Sequence, residues 1–306
     1  MAGLPPNVTL SQLSYFVAVA EELNFTRAAD RLHVSQSPLS QAIKALETNL
    51  GVTLLQRTSR HVELTEAGEE LLPAARAALG AVEHAVKVAR EAGQGERRLV
   101  RVGFLAYGAC NVIDESLAAF AAPASELRLE TRQFDFSDPT AGLADAIVDA
   151  AFLRLPVSSH ELEIEALTSE PRVAVLPVWH PLADREAITV TDLLDEHWLQ
   201  MPGRDGLWRD FWLATAHRNG VEPLLGPEVH TVEEQLTATV TGGYVSLTPE
   251  SVATFYRRPG ISYVPVVGIE PSEVAIAWRR GDDRSSVREF VSSVRDTATA
   301  LVGGGP

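Results

Sequence analysis

Between Gln36 and Leu50 the chain spaces its hydrogen-bonding side chains in a way that suits recognition of another molecule. At about 100° per residue, Ser37, Ser40, Gln41, Lys44 and Thr48 share one side of a helix, with Gln36 at its N-terminal flank. Leu39, Ala42, Ile43, Leu46 and Leu50 share the opposite side. Amides and hydroxyls offer both a donor and an acceptor, and the lysine adds one charge. Groups of this kind read base edges in a DNA major groove, while lysine also reaches phosphate. An ordinary amphipathic helix with a solvated face has the same period, so periodicity alone does not decide between them.

The neighbouring residues supply what such a helix needs. Asn24 can cap a preceding helix that carries Phe25, Ala28, Ala29 and Leu32 on one face. Ser35 is a good N-cap for the next, with Val34 and Leu39 spaced as a hydrophobic staple, and Gly51 gives a left-handed stop. Upstream, residues 1–8 read as a loose leader. Thr9 and Gln12 then have capping-box spacing and open a helix with Leu10, Leu13, Phe16, Val17 and Ala20 as its core face. After Gly51 the segment turns short and β-like, with Arg57, Thr58, Ser59 and Arg60 at a turn. Such a hairpin can lie along a nucleic-acid backbone with its arginines on phosphates; solvated surface arginines are the plain alternative.

A net charge of −15 is unusual for a DNA binder, but it is unevenly placed. Residues 24–64 carry 5 basic and 3 acidic side chains, whereas residues 93–306 carry 18 and 31. The acidity belongs to the C-terminal part. One mildly basic unit neutralises few phosphates, so useful affinity argues for an oligomer. No apolar run of about 18 residues is present, and no basic, apolar and small-residue leader, so a cytoplasmic chain with no membrane partner is expected. The single cysteine, Cys110, excludes an intramolecular disulfide.

From Leu10 to Gly68 the chain closely resembles the DNA-binding domain of LysR-type transcriptional regulators. The resemblance lies in the F-T-x-A-A-x-x-L helix, V-S-Q-S-x-L-S, the I-x-x-L-E and L-G pair, and the L-T-x-A-G ending. It implies a winged helix-turn-helix over residues 1–64. The candidate DNA-binding set is Thr26, Arg27, Ser35, Gln36, Ser37, Pro38, Ser40, Gln41, Lys44, Arg57, Thr58 and Arg60.

Thr65 starts a long helix to about Ala92. Leu72, Ala75, Leu79, Val82, Val86 and Ala89 step along it as a heptad seam, which pairs with its own copy in a dimer. Leu72, Leu79, Val82 and Val86 are the candidate dimerisation residues, and Pro73 should bend the helix. The resemblance gives this 65–92 segment the same role, a dimerising linker helix, and implies a dimer of dimers. Residues 93–97 read as a hinge.

From Arg98 strands and helices alternate in the grammar of a doubly wound α/β sheet. Asp138-Pro139 is expected to cap a short helix, and residues 206–220 to form a longer one. The resemblance extends here through VDAAFLRLP, HPLA and TGGYVSLTP. It implies two α/β lobes of the periplasmic-binding-protein type over 98–306, with lobe I about 98–167 and 268–302, lobe II about 168–267, and an effector between them. Ligands bind at the carboxyl ends of strands in such sheets. That selects Tyr107, Gly108, Ala109, Asp138 and Arg154 on one side, and Gln200, Pro202, Gly203, Arg204, Thr231, Val232 and Glu233 on the other. Many relatives carry Ser or Thr in the first loop for an effector carboxylate; Tyr107 and Ala109 stand there instead. Arg154 could pair with an anion. Asp138 is more simply an N-cap, and Trp208 with Trp212 more simply core.

The expected fold is therefore multidomain, α plus α/β: a winged helix-turn-helix, a linker helix and a two-lobed effector domain. The expected function is sequence-specific promoter binding modulated by a small-molecule effector, with RNA polymerase as a further partner of an activator. Two alternatives remain. Cys110 at a helix start could be a redox sensor, though no resolving cysteine exists. An enzyme on the α/β half is the other, but no nucleophile elbow, Walker loop, GxGxxG or HExxH occurs, and neither a cofactor nor a metal is expected.

Overall fold

The computed structural model describes residues 8–57, 62–94, 98–105, 111–120, 127–157, 160–202 and 206–303. Most of the leader, the Thr58–Arg60 turn, residues 95–97 of the 93–97 hinge, the Tyr107–Cys110 loop, Gly203 and Arg204 lie outside these residues, and residues 93 and 94 continue the long helix. The chain divides into two compact units, 1–95 with 145–147, and 96–144 with 148–306.

The first unit contains α1 (Leu10–Glu22), α2 (Phe25–Arg31), α3 (Gln36–Leu50), an antiparallel hairpin of β1 (Leu55–Arg57) and β2 (Val62–Leu64), and α4 (Glu66–Gln94). Local sequence sets most of its ends. Thr9 and Gln12 close a reciprocal capping box, and Asn24 Oδ1 accepts from the amides of Thr26 and Arg27 at 2.9 and 3.1 Å. Ser35 is the N-cap of α3 but makes no side-chain cap bond. The third position of the helix is Pro38, which has no N–H to give. Gly51 ends α3 at a φ of 71°.

Phe16, Val19, Ala28, Leu39, Ile43 and Leu46 are fully buried together and form the core of this unit. Val19 holds the central position on α1 that the sequence pattern gave to Val17, which is half-buried. Leu50 leaves the stripe: it lies in the last turn of α3 and is 36% exposed. Helix α4 runs through Pro73 without a break. Its seam divides in two. Ala75 is buried, and Leu72 and Leu79 pack on the same core, whereas Val82 and Val86 are 38% and 45% exposed.

The second unit has two sheets. The first has strand order β4 (Leu127–Phe134), β3 (Arg98–Leu105), β5 (Ala150–Arg154), β12 (Ser272–Arg279) and β6 (Leu162–Glu170). β3 is parallel to β4 and β5, but β12 runs antiparallel to β5 and β6, so the sheet is mixed and not purely doubly wound. The chain leaves this lobe after β6 and returns as β12, which reverses its direction. Helices α5 (Asn111–Phe120) and α9 (Ser285–Gly303) cover it, with Phe290 edge-on to Phe152 at 6.2 Å.

In the second lobe β7 (Arg172–Pro177) is buried along its whole length between β10 (Ser246–Pro249) and β11 (Ile261–Pro265), both antiparallel to it. β8 (His197–Gln200) and β9 (Leu224–Glu228) pair in parallel, and Trp198 bridges to Val245. Helices α6 (Leu207–Trp212), α7 (Val232–Gly242) and α8 (Glu250–Phe255) complete the lobe.

Three segments depart from the sequence pattern. β6 was not apparent: its acidic residues are poor strand formers, and a bulge opposite Val274/Ala275 breaks its alternation. The helix expected after Pro139 is a run of turns. Asp138 accepts from Thr140 N, Thr140 Oγ1 and Gly142 N at 3.0, 2.5 and 2.7 Å, and Ala141, Gly142 and Ala146 take positive φ, which no α-helix allows. The helix expected over 206–220 is six residues long, because Ala214 turns left-handed and a 3₁₀ turn follows at Thr215–His217.

Candidate functional site

The outer face of α3 is exposed at Gln36, Ser37, Pro38, Gln41 and Lys44, and half-buried at Ser40. Among the described residues the side chains of Gln36, Ser37 and Gln41 make no hydrogen bond, and Lys44 makes no ion pair. Their donors and acceptors face water and can be exchanged for base edges. Thr48 differs: its hydroxyl donates to Lys44 O at 2.8 Å, within its own helix. Ser35 is exposed beside this face.

Thr26 and Arg27 open α2. Arg27 is held against the end of α1, with Nε 3.4 Å from Glu22 Oε2, yet most of its side chain is exposed. Beside it Arg31 pairs with Glu21 at 2.6 Å, and Arg76 of α4 takes the other oxygen of Glu21 at 2.8 Å. The Glu21 hydrogen bond and charge raise the pKa of Arg31. These pairs brace the three helices and leave Arg27 as the more exposed cation.

Two residues whose roles the pattern did not announce orient the wing. Glu47 Oε1 accepts from the amides of Leu54 and Leu55 at 2.9 and 3.1 Å, which fixes the start of β1 to α3. At Gly68 a Cβ would lie 2.2 Å from Leu54 O, so only glycine lets α4 approach β1 so closely. Both belong to motifs quoted above, I-x-x-L-E and L-T-x-A-G, and spacing alone gave no sign of these contacts. Arg57 ends β1.

In the second unit a narrow slot, with a cavity volume of about 20 Å³ and partly open to solvent, lies between the lobes. Leu105, Phe136 and Arg154 line it from the first lobe. Met201, Trp208, Trp212, Gln235, Leu247, Thr248 and Pro249 line it from the second. The rings of Trp208 and Trp212 meet edge-on at 5.5 Å. Phe136 also joins the two lobes: its N donates to His230 O at 2.9 Å, and the neighbouring Ser137 Oγ meets His230 Nδ1 at 2.8 Å.

Of the effector residues expected from sequence and described, only Arg154 reaches the slot, and its charge is taken. Its Nη1 lies 2.5 Å from Glu170 Oε1 and donates to Ser272 Oγ at 3.3 Å, while Nη2 donates to Ser251 Oγ at 3.3 Å. Gln200 donates to Gly226 O at 2.6 Å, tying β8 to β9. Pro202 is buried away from the lining, Thr231 caps α7 by accepting from Glu234 N, Val232 is core and Glu233 is exposed. Asp138 holds its turn. From the second lobe the lining comes from α6, α7 and β10 together with Met201, and Trp208 and Trp212 are both core and lining. Nearby, at the two crossovers between lobes, Arg172 donates to Glu270 O at 2.8 Å and to Phe211 O at 2.7 Å. Burial lowers its pKa to about 10, against the opposing pull of Glu270, so it stays charged at neutral pH.

Comparison with known proteins covers both units. The family model described as the LysR substrate binding domain matches residues 93–299. That of the bacterial regulatory helix-turn-helix protein, lysR family, matches residues 10–69. The HTH-type transcriptional regulator AlsR of Bacillus subtilis (strain 168) is 32% identical over 295 residues, covering 95% of this chain and 97% of that protein. The crystal structure of CbnR, a LysR family transcriptional regulator, has a TM-score of 0.61 at 26% identity, covering 95% of this chain and 99% of that one. Full-length CbnR complexed with its target DNA gives 0.58 at 26% identity, over 95% and 100% of the two chains. No helix among the described residues is long and apolar enough to cross a membrane.

Proposed function

The chain belongs to the LysR-type transcriptional regulators, DNA-binding proteins with an effector-binding domain, and from that premise we propose how its own residues divide the work. Residues 1–64 bind promoter DNA, 65–92 join two copies, and 98–306 take the effector in the slot. Gln36, Ser37 and Gln41 read base edges; Lys44 reaches a base or a phosphate. Arg27, Arg57, Thr58 and Arg60 hold the backbone, and Ser35, Pro38, Ser40 and Thr26 approach beside them. The observation that carries this is the unbonded side chains of Gln36, Ser37 and Gln41 on one side of α3, opposite the buried Leu39, Ile43 and Leu46. Val82 and Val86, exposed on the outer part of the seam, meet the same residues of a second copy, and two such dimers associate. The chain works on chromosomal DNA and so in the cytoplasm; an activating role would add RNA polymerase as a partner.

The test is a titration of the full chain on the DNA flanking its own gene, with single-base variants of the retained site at several salt concentrations. Gln41→Ala should relax preference at one position per half-site by about 1–3 kcal/mol and leave the salt dependence unchanged. Arg57→Ala or Arg60→Ala should weaken every site alike and flatten the log–log salt slope by about one. An unchanged base preference for Gln41→Ala would remove this face from the groove.

A further inference from the structure

We propose that Glu21 is a positioning residue for operator recognition: it holds Arg31 of α2 and Arg76 of α4 on its two carboxylate oxygens, and so fixes the half-site spacing that two joined copies accept. The proposal rests on the copies pairing through α4. Arg31 Nη1 lies 2.6 Å from Glu21 Oε2. The other oxygen, Oε1, accepts from Arg76 Nε at 3.0 Å and Nη2 at 2.8 Å, so the flat guanidinium meets it with two donors. Glu22 stands beside them, with Oε1 3.5 Å from Arg31 Nη1 and Oε2 3.4 Å from Arg27 Nε. Both glutamates lie in the last turn of α1, which holds no basic residue. A carboxylate there faces the negative end of the helix dipole, so it is poorly placed for the helix itself. What the position offers is reach to arginines on the neighbouring helices.

Apolar packing already joins the same helices. Ala75 is buried in the core of the unit, and Leu72 and Leu79 pack against that core. Contact of that kind is non-directional and admits a range of crossing angles. Two donors from a planar guanidinium tolerate little rotation. Arg76 follows Ala75 directly, so the charge pair clamps α4 where the apolar contact is made. The side chains of Arg76 and Glu21 are 40% and 24% exposed, so the pair adds little to overall stability. Its effect is on orientation. Helix α2 leads into α3 with its reading face, while α4 leads to Val82 and Val86, where the copies meet. The Glu21 pairs therefore stand between the reading face and the joint. One base pair inserted between half-sites turns them by about 35° and parts them by about 3.4 Å, and a face held at a fixed angle cannot follow.

The test takes the full chain and the site it retains from the DNA flanking its own gene, with one base pair added or removed between the half-sites. The parent should bind both altered sites about tenfold or more weaker than the natural one. Glu21→Ala keeps a good helix former at an exposed position and removes both pairs, and should shrink that penalty severalfold. Arg76→Gln should shrink it too, and the double variant should add little to Glu21→Ala, because the two changes break one contact. Melting curves check that each variant is folded. Weaker binding at all three spacings with the penalty unchanged would overturn the positioning role, since a merely structural loss acts on every site alike. Fully additive effects of the two changes would overturn the pair as its cause. A dimeric parent indifferent to spacing would overturn the fixed angle; a monomeric one, by sedimentation, would overturn the pairing through α4 on which the proposal rests.

Discussion

On the outer face of α3 the amides and hydroxyls of Gln36, Ser37 and Gln41 bond to nothing else among the described residues, while in the slot Arg154 bonds to Glu170, Ser251 and Ser272, and Gln235 to Ser246 and Leu247. Both regions contain polar side chains, and solvent access separates them. A group in water keeps hydrogen bonds with water, so it loses little by waiting for a base edge. A buried group such as Arg154 or Gln235 has little water to fall back on, and an unmet donor or acceptor there costs about 1–3 kcal/mol. The α3 face therefore keeps its polar groups available, whereas Arg154 and Gln235 in the slot are already committed.

The largest expected effect comes from breaking the closed side. Glu170→Ala would leave Arg154 charged, buried and unpaired, and should destabilise the second unit by about 3–5 kcal/mol. All five tryptophans, at 179, 198, 208, 212 and 278, lie in that unit, so urea unfolding followed by tryptophan emission reports it selectively. A loss below about 1 kcal/mol would mean that Arg154 is not held by this pair, and its charge would be available to an anion after all.

The open side is weak in a different way. Its face on α3 offers one lysine, so a single copy neutralises few phosphates. Val82→Glu with Val86→Glu should part the copies and lower operator affinity by about 100-fold or more, through loss of avidity. Both valines are exposed in one chain, so the double variant should stay folded. Sedimentation of an unchanged dimer with unchanged affinity would move the pairing surface elsewhere.

The same contrast explains how much of this molecule is legible in its sequence. The reading face, the Asn24 cap and the Thr9–Gln12 box depend on residues within four positions of each other, and local spacing reveals them. The slot depends on contacts between distant residues. Arg154 meets Ser251 and Ser272 across separations of 97 and 118 residues, and nothing near Arg154 announces Glu170. Strand β6, which brings Glu170 into place, alternates acidic and apolar residues for only half its length before the bulge. Asp138 has the look of a helix cap, and its carboxylate does cap, but Ala141 and Gly142 at positive φ turn the chain aside.

Glu47 tests the support behind the open face. Its carboxylate holds two amides at the root of the wing, so Glu47→Ala should loosen β1 against α3 by about 2 kcal/mol. Faster amide hydrogen exchange at Leu54 and Leu55 is the direct measurement. Operator binding should weaken at all sequences alike, because the wing is assigned to the backbone and α3 keeps its own groups. If the variant changed base preference instead, the wing would be reading sequence.

The smallest expected effect makes the sharpest comparison, because it lies within one helix face. Thr48 and Gln41 both point away from the buried stripe and both are exposed. Gln41 has its amide unspent, whereas the Thr48 hydroxyl already donates to Lys44 O. If availability of the polar group decides what is read, Thr48→Ala should alter operator affinity and base preference by no more than about 0.5 kcal/mol. Its methyl can still touch a base, but the Oγ1–H is committed to the helix, and removing it takes no donor from the DNA. Gln41→Ala should show the opposite, with a preference lost at one position. The measurement is the same panel of single-base operator variants for both proteins at one salt concentration. Equal losses of preference in the two variants would mean that the Thr48 hydroxyl leaves its helix to meet the DNA, and that bonds made in the free protein do not predict which groups the groove will use.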